Sequence, residues 1–185
     1  MNEMKKLFNE KEIVAVSLDM QGSLMSAVHN GEFMKQRAIK FFKSLGVLDV
    51  PILVTQQYTK GLGMTDEDVK AAIKDFSYID KTSFSCVKNS EFMQALKSTG
   101  RKRVVLTGME THICVLQTAM DLLDEGYEVY IVEDCTSSRA KIDKKVAIER
   151  MFSEGVKVAT YESILFECLG GAGSDEFKQI SKIIK

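Results

Sequence analysis

Short apolar segments rich in β-branched residues alternate with helical segments along this chain, and that rhythm restricts the folds open to it. The segments that predict buried strands are 12–18, 50–55, 103–108, 127–134 and 156–160. The segments with apolar residues three and four positions apart, which predict helices, are 33–45, 91–96, 113–123, 146–152 and 175–185. Parallel neighbouring strands need a helical crossover and become buried on both sides. The alternation therefore predicts an α/β fold, with a mainly parallel sheet covered by helices on both faces.

Glycines stand where several of these helices are predicted to end, a position typical of a C-terminal glycine cap. They are Gly46, Gly100, Gly126 and Gly155. The period is lost only over 56–89, which we interpret as a functional loop because long plain connections are uncommon in compact domains. A short helix is predicted within it at 65–76, capped by Thr65 and Asp66. A chain of 185 residues is expected to form a single domain, 1–185.

The charge balance argues against partners that are bound through a general positive charge. Lysine and arginine total 25 and aspartate and glutamate 26, so the net charge is −1, and binding to nucleic acid or an acidic membrane face is not expected. No apolar run approaches the about 18 residues of a membrane span, and the opening MNEMKKLFNEKE lacks the apolar core of a secretion signal. We therefore expect a cytoplasmic protein whose four cysteines are by default reduced and buried.

Three residues lie where an open parallel sheet binds its ligands, beyond the carboxyl ends of its strands. Asp19 follows the first strand, although an aspartate there could equally cap a turn. Cys114 lies in the first turn of a predicted helix, where the helix dipole favours a thiolate, although it could also pack beneath the sheet like Cys86, Cys135 and Cys168. Lys81 has apolar and small neighbours, but a lone lysine is usually solvated.

The blocks around these residues, SLDMQ, DKTSFS and GMETHICV, resemble the isochorismatase-like cysteine hydrolase superfamily. The segments TQQYTKGLG, TAMDLLDEGYEVYIVEDCTSSR and FKQISKIIK extend the resemblance over nearly the whole chain, and it is closest to the isochorismatase domain-containing and YcaC-type hydrolases. The resemblance implies a three-layer α/β/α fold with a doubly wound sheet, and Asp19, Lys81 and Cys114 as a catalytic triad. It also implies a cis peptide between Met109 and Glu110, and an oxyanion hole made by the backbone N–H groups of Glu110 and Cys114.

The function implied is metal-independent hydrolysis of a small amide, imide or related carbonyl substrate through a thioester. Lys81 and the helix start are expected to lower the pKa of Cys114, and Asp19 to accept its proton. Gln21, Tyr58 and His112 are candidates for substrate contacts, although Tyr58 could instead pack its loop and His112 could be a solvated residue at a helix start. The loop TQQYTKGLG carries no histidine where nicotinamidases hold a metal, so no metal and no other cofactor is expected.

Other classes of function remain open beside this one. A protein with this fold could act as a silent binding or scaffold subunit, although Asp19, Lys81 and Cys114 are all present. A thiol of low pKa could also serve as a redox sensor. A nuclease-like activity gains no support from a net charge of −1. The resemblance further implies a homo-oligomer.

Overall fold

A six-stranded parallel sheet forms the centre of the protein, whose computed structural model describes residues 8–185. The strands are β1 Ile13–Leu18, β2 Ile52–Gln57, β3 Ile79–Lys81, β4 Arg103–Met109, β5 Glu128–Ser137 and β6 Lys157–Ala159. Their order across the sheet is β3-β2-β1-β4-β5-β6, and every neighbouring pair is parallel. The doubly wound α/β fold predicted from the sequence is confirmed.

Helices cover both faces of this sheet. They are α1 Gly22–Ala27, α2 Gly31–Val47, α3 Thr59–Leu62, α4 Glu67–Ala72, α5 Ser90–Ser98, α6 Leu116–Asp124, α7 Lys141–Ser153, α8 Tyr161–Leu169 and α9 Asp175–Ile184. A 3₁₀ turn at Cys86–Lys88 and a π-helical turn at Thr111–Val115 complete the helical elements of the described chain. None of the helices within residues 8–185 is both long and apolar enough to cross a membrane.

Strand β1 shows how the pattern of the sequence builds two separate cores. Successive side chains of a strand point to opposite faces of the sheet. Ile13 and Ala15 accordingly pack in one core with α2, α8 and α9, while Val14, Val16 and Leu18 pack in the other with α5, α6 and α7. All six residues of the strand are buried. Being apolar on both sides, β1 lies in the middle of the sheet.

The structure corrects two predictions about local elements. Strand β3 was not predicted, because it has three residues and the exposed Asp80 interrupts its apolar pattern. It lies within the segment 56–89 that the sequence indicated as a loop. Gly46 was predicted to end a helix but lies inside α2, and the chain turns instead at Asp49, which has a φ of 51°. Aspartate tolerates this left-handed conformation better than most residues, so no glycine is needed.

The structure confirms the other predicted helix ends and the presence of a short helix within 56–89. Gly100, Gly126 and Gly155 all have positive φ angles where helices end. The short helix in the segment 56–89 is α4, and the carboxylate of Asp66 caps it by accepting hydrogen bonds from the backbone N–H groups of its first turn. Thr65 does not cap this helix. Its hydroxyl and its N–H both donate to Oε1 of Gln56, a buried residue of β2.

Candidate active site

Asp19 lies directly after β1, at the centre of the sheet, where the connection from β1 to β2 and that from β4 to β5 run toward opposite edges of the sheet. This is the switch point at which doubly wound sheets bind their ligands. Asp19 is fully buried and has a φ of 52°. Its backbone N–H donates to the carbonyl of Thr55 (3.1 Å), and the Thr55 hydroxyl donates to its Oδ1 (2.8 Å). The left-handed backbone and these two bonds together fix the direction of the carboxylate.

Lys81, the last residue of β3, forms a buried ion pair with Asp19. Its Nζ lies 2.8 Å from Asp19 Oδ2, and both side chains are 0% exposed. The same ammonium group also contacts Gln57 Oε1 (2.7 Å) and the carbonyls of Ser83 (3.2 Å) and Phe84 (3.1 Å). Burial acts to lower the pKa of Lys81, but the Asp19 carboxylate and two nearby thiols outweigh it, so this pKa is raised. Lys81 is therefore a fixed cation whose three N–H groups are all engaged.

Cys114 follows β4 on the π-helical turn, as expected of a residue at a strand-to-helix junction. The turn is closed by the carbonyl of Glu110, which accepts from the N–H groups of Ile113 (3.1 Å) and Val115 (3.2 Å). The Cys114 side chain is almost fully buried. It lies close enough to Asp19 and Lys81 for both of their charges to act on the pKa of its thiol. The structure thus brings together Asp19, Lys81 and Cys114, which lie far apart in the sequence.

The expectation that Lys81 and the helix start lower the pKa of Cys114 is wrong. Burial raises the pKa of the Cys114 thiol, the Asp19 carboxylate raises it further, and the Lys81 ammonium lowers it by less than these together. The physical reasons are that the thiol is buried and faces a carboxylate, and that the positive charge of Lys81 is already paired with Asp19 at 2.8 Å. The resting thiol is therefore neutral, with a carboxylate in place to receive its proton.

Cys86 lies beside the same ion pair. The sequence predicted only a buried, reduced cysteine there and gave no sign of this position. It is fully buried, its Sγ is 3.9 Å from the hydroxyl of Thr55, and its N–H donates to the hydroxyl of Thr118 (3.0 Å). Burial raises the pKa of Cys86 to about 12, with Lys81 opposing the shift. The four cysteines all lie in the described part of the chain, and none forms a disulfide.

The peptide between Met109 and Glu110 is cis, as the resemblance implied. The side chain of Glu110 is nearly buried, and its Oε2 accepts hydrogen bonds from both the N–H (3.1 Å) and the Nε (3.0 Å) of Arg139. Arg139 thereby ties the turn after β5 to the turn after β4. Arg139 therefore organises this pair of turns.

Two of the candidate substrate contacts support the loop after β2. Gln21 is fully buried, and its amide donates to the carbonyls of Gln57 (3.1 Å) and Gly63 (2.6 Å) while accepting from the Gln57 N–H (2.8 Å). Tyr58 is half exposed, and its ring packs over Gly61 so closely that a Cβ there would lie 2.3 Å from it. Direct contact of either residue with a substrate stays a prediction.

His112 lies on the π-helical turn, close to the end of β5. Its Nδ1 is 2.9 Å from the hydroxyl of Ser138, and its Nε2 is 3.9 Å from the Asp143 carboxylate. The ring is thus held by α7 and by the turn after β5, and a role in substrate binding stays a prediction.

Thr55 and Gln57, which orient Asp19 and Lys81, were not singled out from the sequence. The signal was the polar run TQQ that ends an otherwise apolar strand.

No group of three or more His, Cys, Asp or Glu side chains within residues 8–185 is arranged to hold a metal ion.

Residues 14–163 match the isochorismatase domain. The chain belongs to the isochorismatase family. Among its relatives, the secreted isochorismatase effector Isc1 of Phytophthora sojae is 41% identical over 143 residues, which are 75% of this chain and 68% of that protein. Isochorismatase domain-containing protein 2 of Xenopus laevis is 35% identical over 176 residues, or 95% of this chain and 84% of that protein.

Solved structures of the isochorismatase fold resemble this protein over nearly its full length. MAR1 ribonuclease from Caenorhabditis elegans superimposes with a TM-score of 0.90 at 31% identity, covering 96% of this chain and 91% of that one. The YcaC gene product of Escherichia coli, described as an octameric hydrolase of unknown specificity, has a TM-score of 0.89 at 21% identity and covers 99% and 92% of the two chains. The latter likeness concerns the fold.

Proposed function

We propose that this isochorismatase-family protein is a cysteine hydrolase that cleaves a small amide, imide or related carbonyl compound through a thioester. The observation that carries the proposal is the convergence of a buried thiol, Cys114, on the buried ion pair of Asp19 and Lys81, whose charges both act on it. A nucleophile, a base within reach of it and a group that orients the base are the parts that nucleophilic catalysis needs.

The first half of the reaction forms the thioester. Asp19 takes the Cys114 proton while Sγ attacks the carbonyl carbon of the substrate. The resulting oxyanion accepts hydrogen bonds from the backbone N–H groups of Glu110 and Cys114, which lie at the positive end of the π-helical turn. Asp19 then returns the proton to the leaving nitrogen, and the carbon–nitrogen bond breaks.

The second half restores the enzyme. Asp19 accepts a proton from a water molecule, whose oxygen attacks the thioester carbonyl. The carbon–sulfur bond breaks, Cys114 regains its proton, and a carboxylic acid leaves. Lys81 stays protonated throughout, because its ammonium group is saturated with acceptors, and it acts by holding the Asp19 carboxylate in place beside the thiol. No step of this scheme requires a metal ion.

A panel of small amides, imides, carbamoyl compounds and nicotinamide tests the proposal. We expect hydrolysis of at least one compound and, in Cys114→Ala, a loss of about a thousandfold or more in kcat. Cys135→Ala is the matched control, since Cys135 is also fully buried but lies on β5, in the core on the other face of the sheet. Turnover of a confirmed substrate by Cys114→Ala at the parent rate would remove the mechanism.

Alkylation kinetics separate a hydrolase from a redox sensor on the same fold. Since burial and Asp19 raise the pKa of Cys114, we expect its rate of reaction with iodoacetamide to keep rising as the pH passes about 8.5, the ordinary cysteine value. A sensor thiol of low pKa would instead reach a plateau below that pH. A plateau near neutral pH would favour the sensor over the hydrolase scheme.

Ribonuclease activity is a second candidate, because the Caenorhabditis elegans relative of similar fold is named a ribonuclease. The net charge of −1 supplies no general attraction to RNA, and the triad scheme acts on a carbonyl carbon. Incubation of labelled RNA with the parent and with Cys114→Ala decides between the two. Cleavage that is lost in Cys114→Ala would assign RNA to this site.

We further propose a homo-oligomer as the working form. The support for this is the octameric state described for the Escherichia coli YcaC protein, which has a similar fold. Light scattering on the purified protein tests this, and a monomer at every concentration would contradict it.

The four thiols without disulfides support a reducing compartment such as the cytoplasm.

A further inference from the structure

A row of buried polar groups runs from the helix after Cys114 to the carboxylate of Asp19. Its members are Thr118 on α6, Cys86 on the 3₁₀ turn and Thr55 on β2, and all three are 0% exposed. Each link of the row is a hydrogen bond. The row therefore connects the proposed base to the segment that carries the proposed nucleophile, through bonds in the interior of the protein.

Thr55 forms the end of the row at the carboxylate. Its hydroxyl has one hydrogen to donate and two lone pairs with which to accept, whereas an ionised carboxylate only accepts. The hydrogen of Thr55 is therefore committed to Asp19 Oδ1, at 2.8 Å. Lys81 occupies the other oxygen, Oδ2, also at 2.8 Å. Turning the carboxylate would break hydrogen bonds at both of its oxygens.

The thiol of Cys86 lies on the acceptor side of the Thr55 hydroxyl. Burial raises the pKa of Cys86 to about 12, so the group is a neutral S–H donor, with its Sγ 3.9 Å from Thr55 Oγ1. A thiol is a weak donor, but hydrogen bonds in series polarise one another where water is excluded. Donation from Cys86 leaves the hydrogen of Thr55 directed toward Asp19.

Thr118 anchors the row on α6. Its hydroxyl accepts from the backbone N–H of Cys86 at 3.0 Å. Thr118 lies four residues after Cys114, which is about one helical turn. The position of Cys86, and through it that of the Thr55 hydroxyl, is therefore set relative to the helix that continues from Cys114.

We propose that Thr55 and Cys86 are positioning residues that hold the Asp19 carboxylate in register with the Cys114 thiol, with Thr118 as their anchor. Packing does not require the hydroxyl of Thr55, since a valine has nearly the same shape and a buried hydroxyl costs free energy unless it is hydrogen-bonded. The inference rests on the proposed function, in which Asp19 takes the proton of Cys114.

Steady-state kinetics with whichever amide, imide or carbamoyl compound of the panel the parent hydrolyses test the role of Thr55. Thr55→Val is expected to lower kcat about tenfold or more, because a base that is free to turn is misplaced for the chemical step. KM should stay within about twofold, since the hydroxyl is not proposed to contact the substrate. Thr55→Ser keeps the hydroxyl and is expected to restore kcat to within about threefold of the parent.

Thr107→Val is the matched control for Thr55→Val. Thr107 lies on the neighbouring strand β4 and is also 0% exposed, but its hydroxyl donates to the backbone carbonyl of Val16 (2.8 Å). Both variants lose one buried hydrogen bond, and only Thr55→Val loses one to Asp19. A row that merely satisfied buried polar groups would affect the stability of both variants and leave kcat per folded molecule unchanged in both.

The role of Cys86 is tested by its dependence on Thr55. Cys86→Ala is expected to lower kcat about threefold in the parent, in keeping with a weak donor. In Thr55→Val the same replacement should change kcat no further, because Cys86 acts only through the hydroxyl that is already missing. Equal losses in the two backgrounds would overturn the assignment of Cys86.

Raman spectroscopy measures the link between Cys86 and Thr55 without any substrate. The S–H stretching band of Cys86 is isolated as the difference between the spectra of the parent and of Cys86→Ala. We expect this band to move to higher frequency in Thr55→Val, where the thiol has lost its acceptor, and to stay in place in Thr107→Val. An unshifted band in folded Thr55→Val overturns the proposal.

The outcomes keep this inference apart from the proposed function. Turnover by Cys114→Ala at the parent rate would remove the hydrolase scheme itself. If Cys114→Ala is inactive while Thr55→Val keeps the parent kcat, or loses no more than Thr107→Val, the hydrolase stands and the positioning role is overturned. A higher kcat in Thr55→Val would overturn it as well, because it would mean that the hydroxyl acts only by weakening Asp19 as a base.

Discussion

Replacement of Lys81 by methionine removes the ammonium group of the buried ion pair while Asp19 stays buried. Both side chains are 0% exposed and their charged atoms are 2.8 Å apart. Loss of one member of such a pair typically costs about 3–5 kcal/mol, because the other charge is left without compensation. Lys81→Met also leaves Gln57 Oε1 and the Ser83 and Phe84 carbonyls without this donor, so its cost is expected near the upper end, about 5 kcal/mol.

Replacement of Asp19, the other member of the ion pair, is expected to lower the free energy of unfolding by less. In Asp19→Asn the Lys81 ammonium keeps its three other acceptors, and the Thr55 hydroxyl keeps an oxygen to which it can donate. The destabilisation is therefore expected near the lower end, about 3 kcal/mol. In the double variant no unpaired charge remains, so the double variant should be more stable than the sum of the two single costs predicts, by at least about 2 kcal/mol.

Urea unfolding followed by far-UV circular dichroism measures these free energies. Lys178→Met provides the matched control, because Lys178 and Asp175 form an ion pair of similar length, 2.9 Å, with side chains that are 64% and 85% exposed. Exposed pairs contribute at most about 1 kcal/mol. The reasoning fails if Lys81→Met costs no more than this control, or if the costs of Asp19→Asn and Lys81→Met simply add in the double variant.

Two further predictions concern the sheet. Gly108→Ala should lower the free energy of unfolding by about 3 kcal/mol or more, because φ is 110° and a Cβ would lie 2.0 Å from a backbone oxygen of β1. Gly126 has a φ of 81° and open space around it. Gly126→Ala should therefore lower the free energy of unfolding by only about 1–2 kcal/mol. Burial acts to raise the pKa of Glu128, but hydrogen bonds lower it to about 2. The donors are Lys157, Tyr130 and Arg103. A lowered folded-state pKa stabilises the protein above the unfolded value and loses this contribution as the pH falls toward about 2. Urea unfolding of Glu128→Gln should therefore show a flatter pH profile than the parent below about pH 4.3, and equal slopes would contradict the assignment.

The fold was predictable because its information is local. Strand β1 is apolar at every position but Ser17 and lies at the centre of the sheet, with helices on both sides, so a single segment reveals burial on both faces. Strand β3 gave no such signal. It is an edge strand of three residues, and its pairing with β2 depends on contacts between segments more than twenty residues apart. Periodicity within a short window cannot register such contacts.

The components of the site were predictable for a related reason, whereas their charge states were not. Asp19 and Cys114 stand directly beyond strand ends, which a parallel sheet gathers at one edge. The pKa of Cys114, however, depends first on its burial and then on the charges of Asp19 and Lys81 beside it. Lys81 is bound by Asp19 and three neutral acceptors, so it cannot stabilise a thiolate as a free ammonium would. The scheme proposed above accordingly activates Cys114 by proton transfer to Asp19 during attack. Asp19→Asn is consequently expected to lower kcat about as strongly as Cys114→Ala does, even where the protein remains folded.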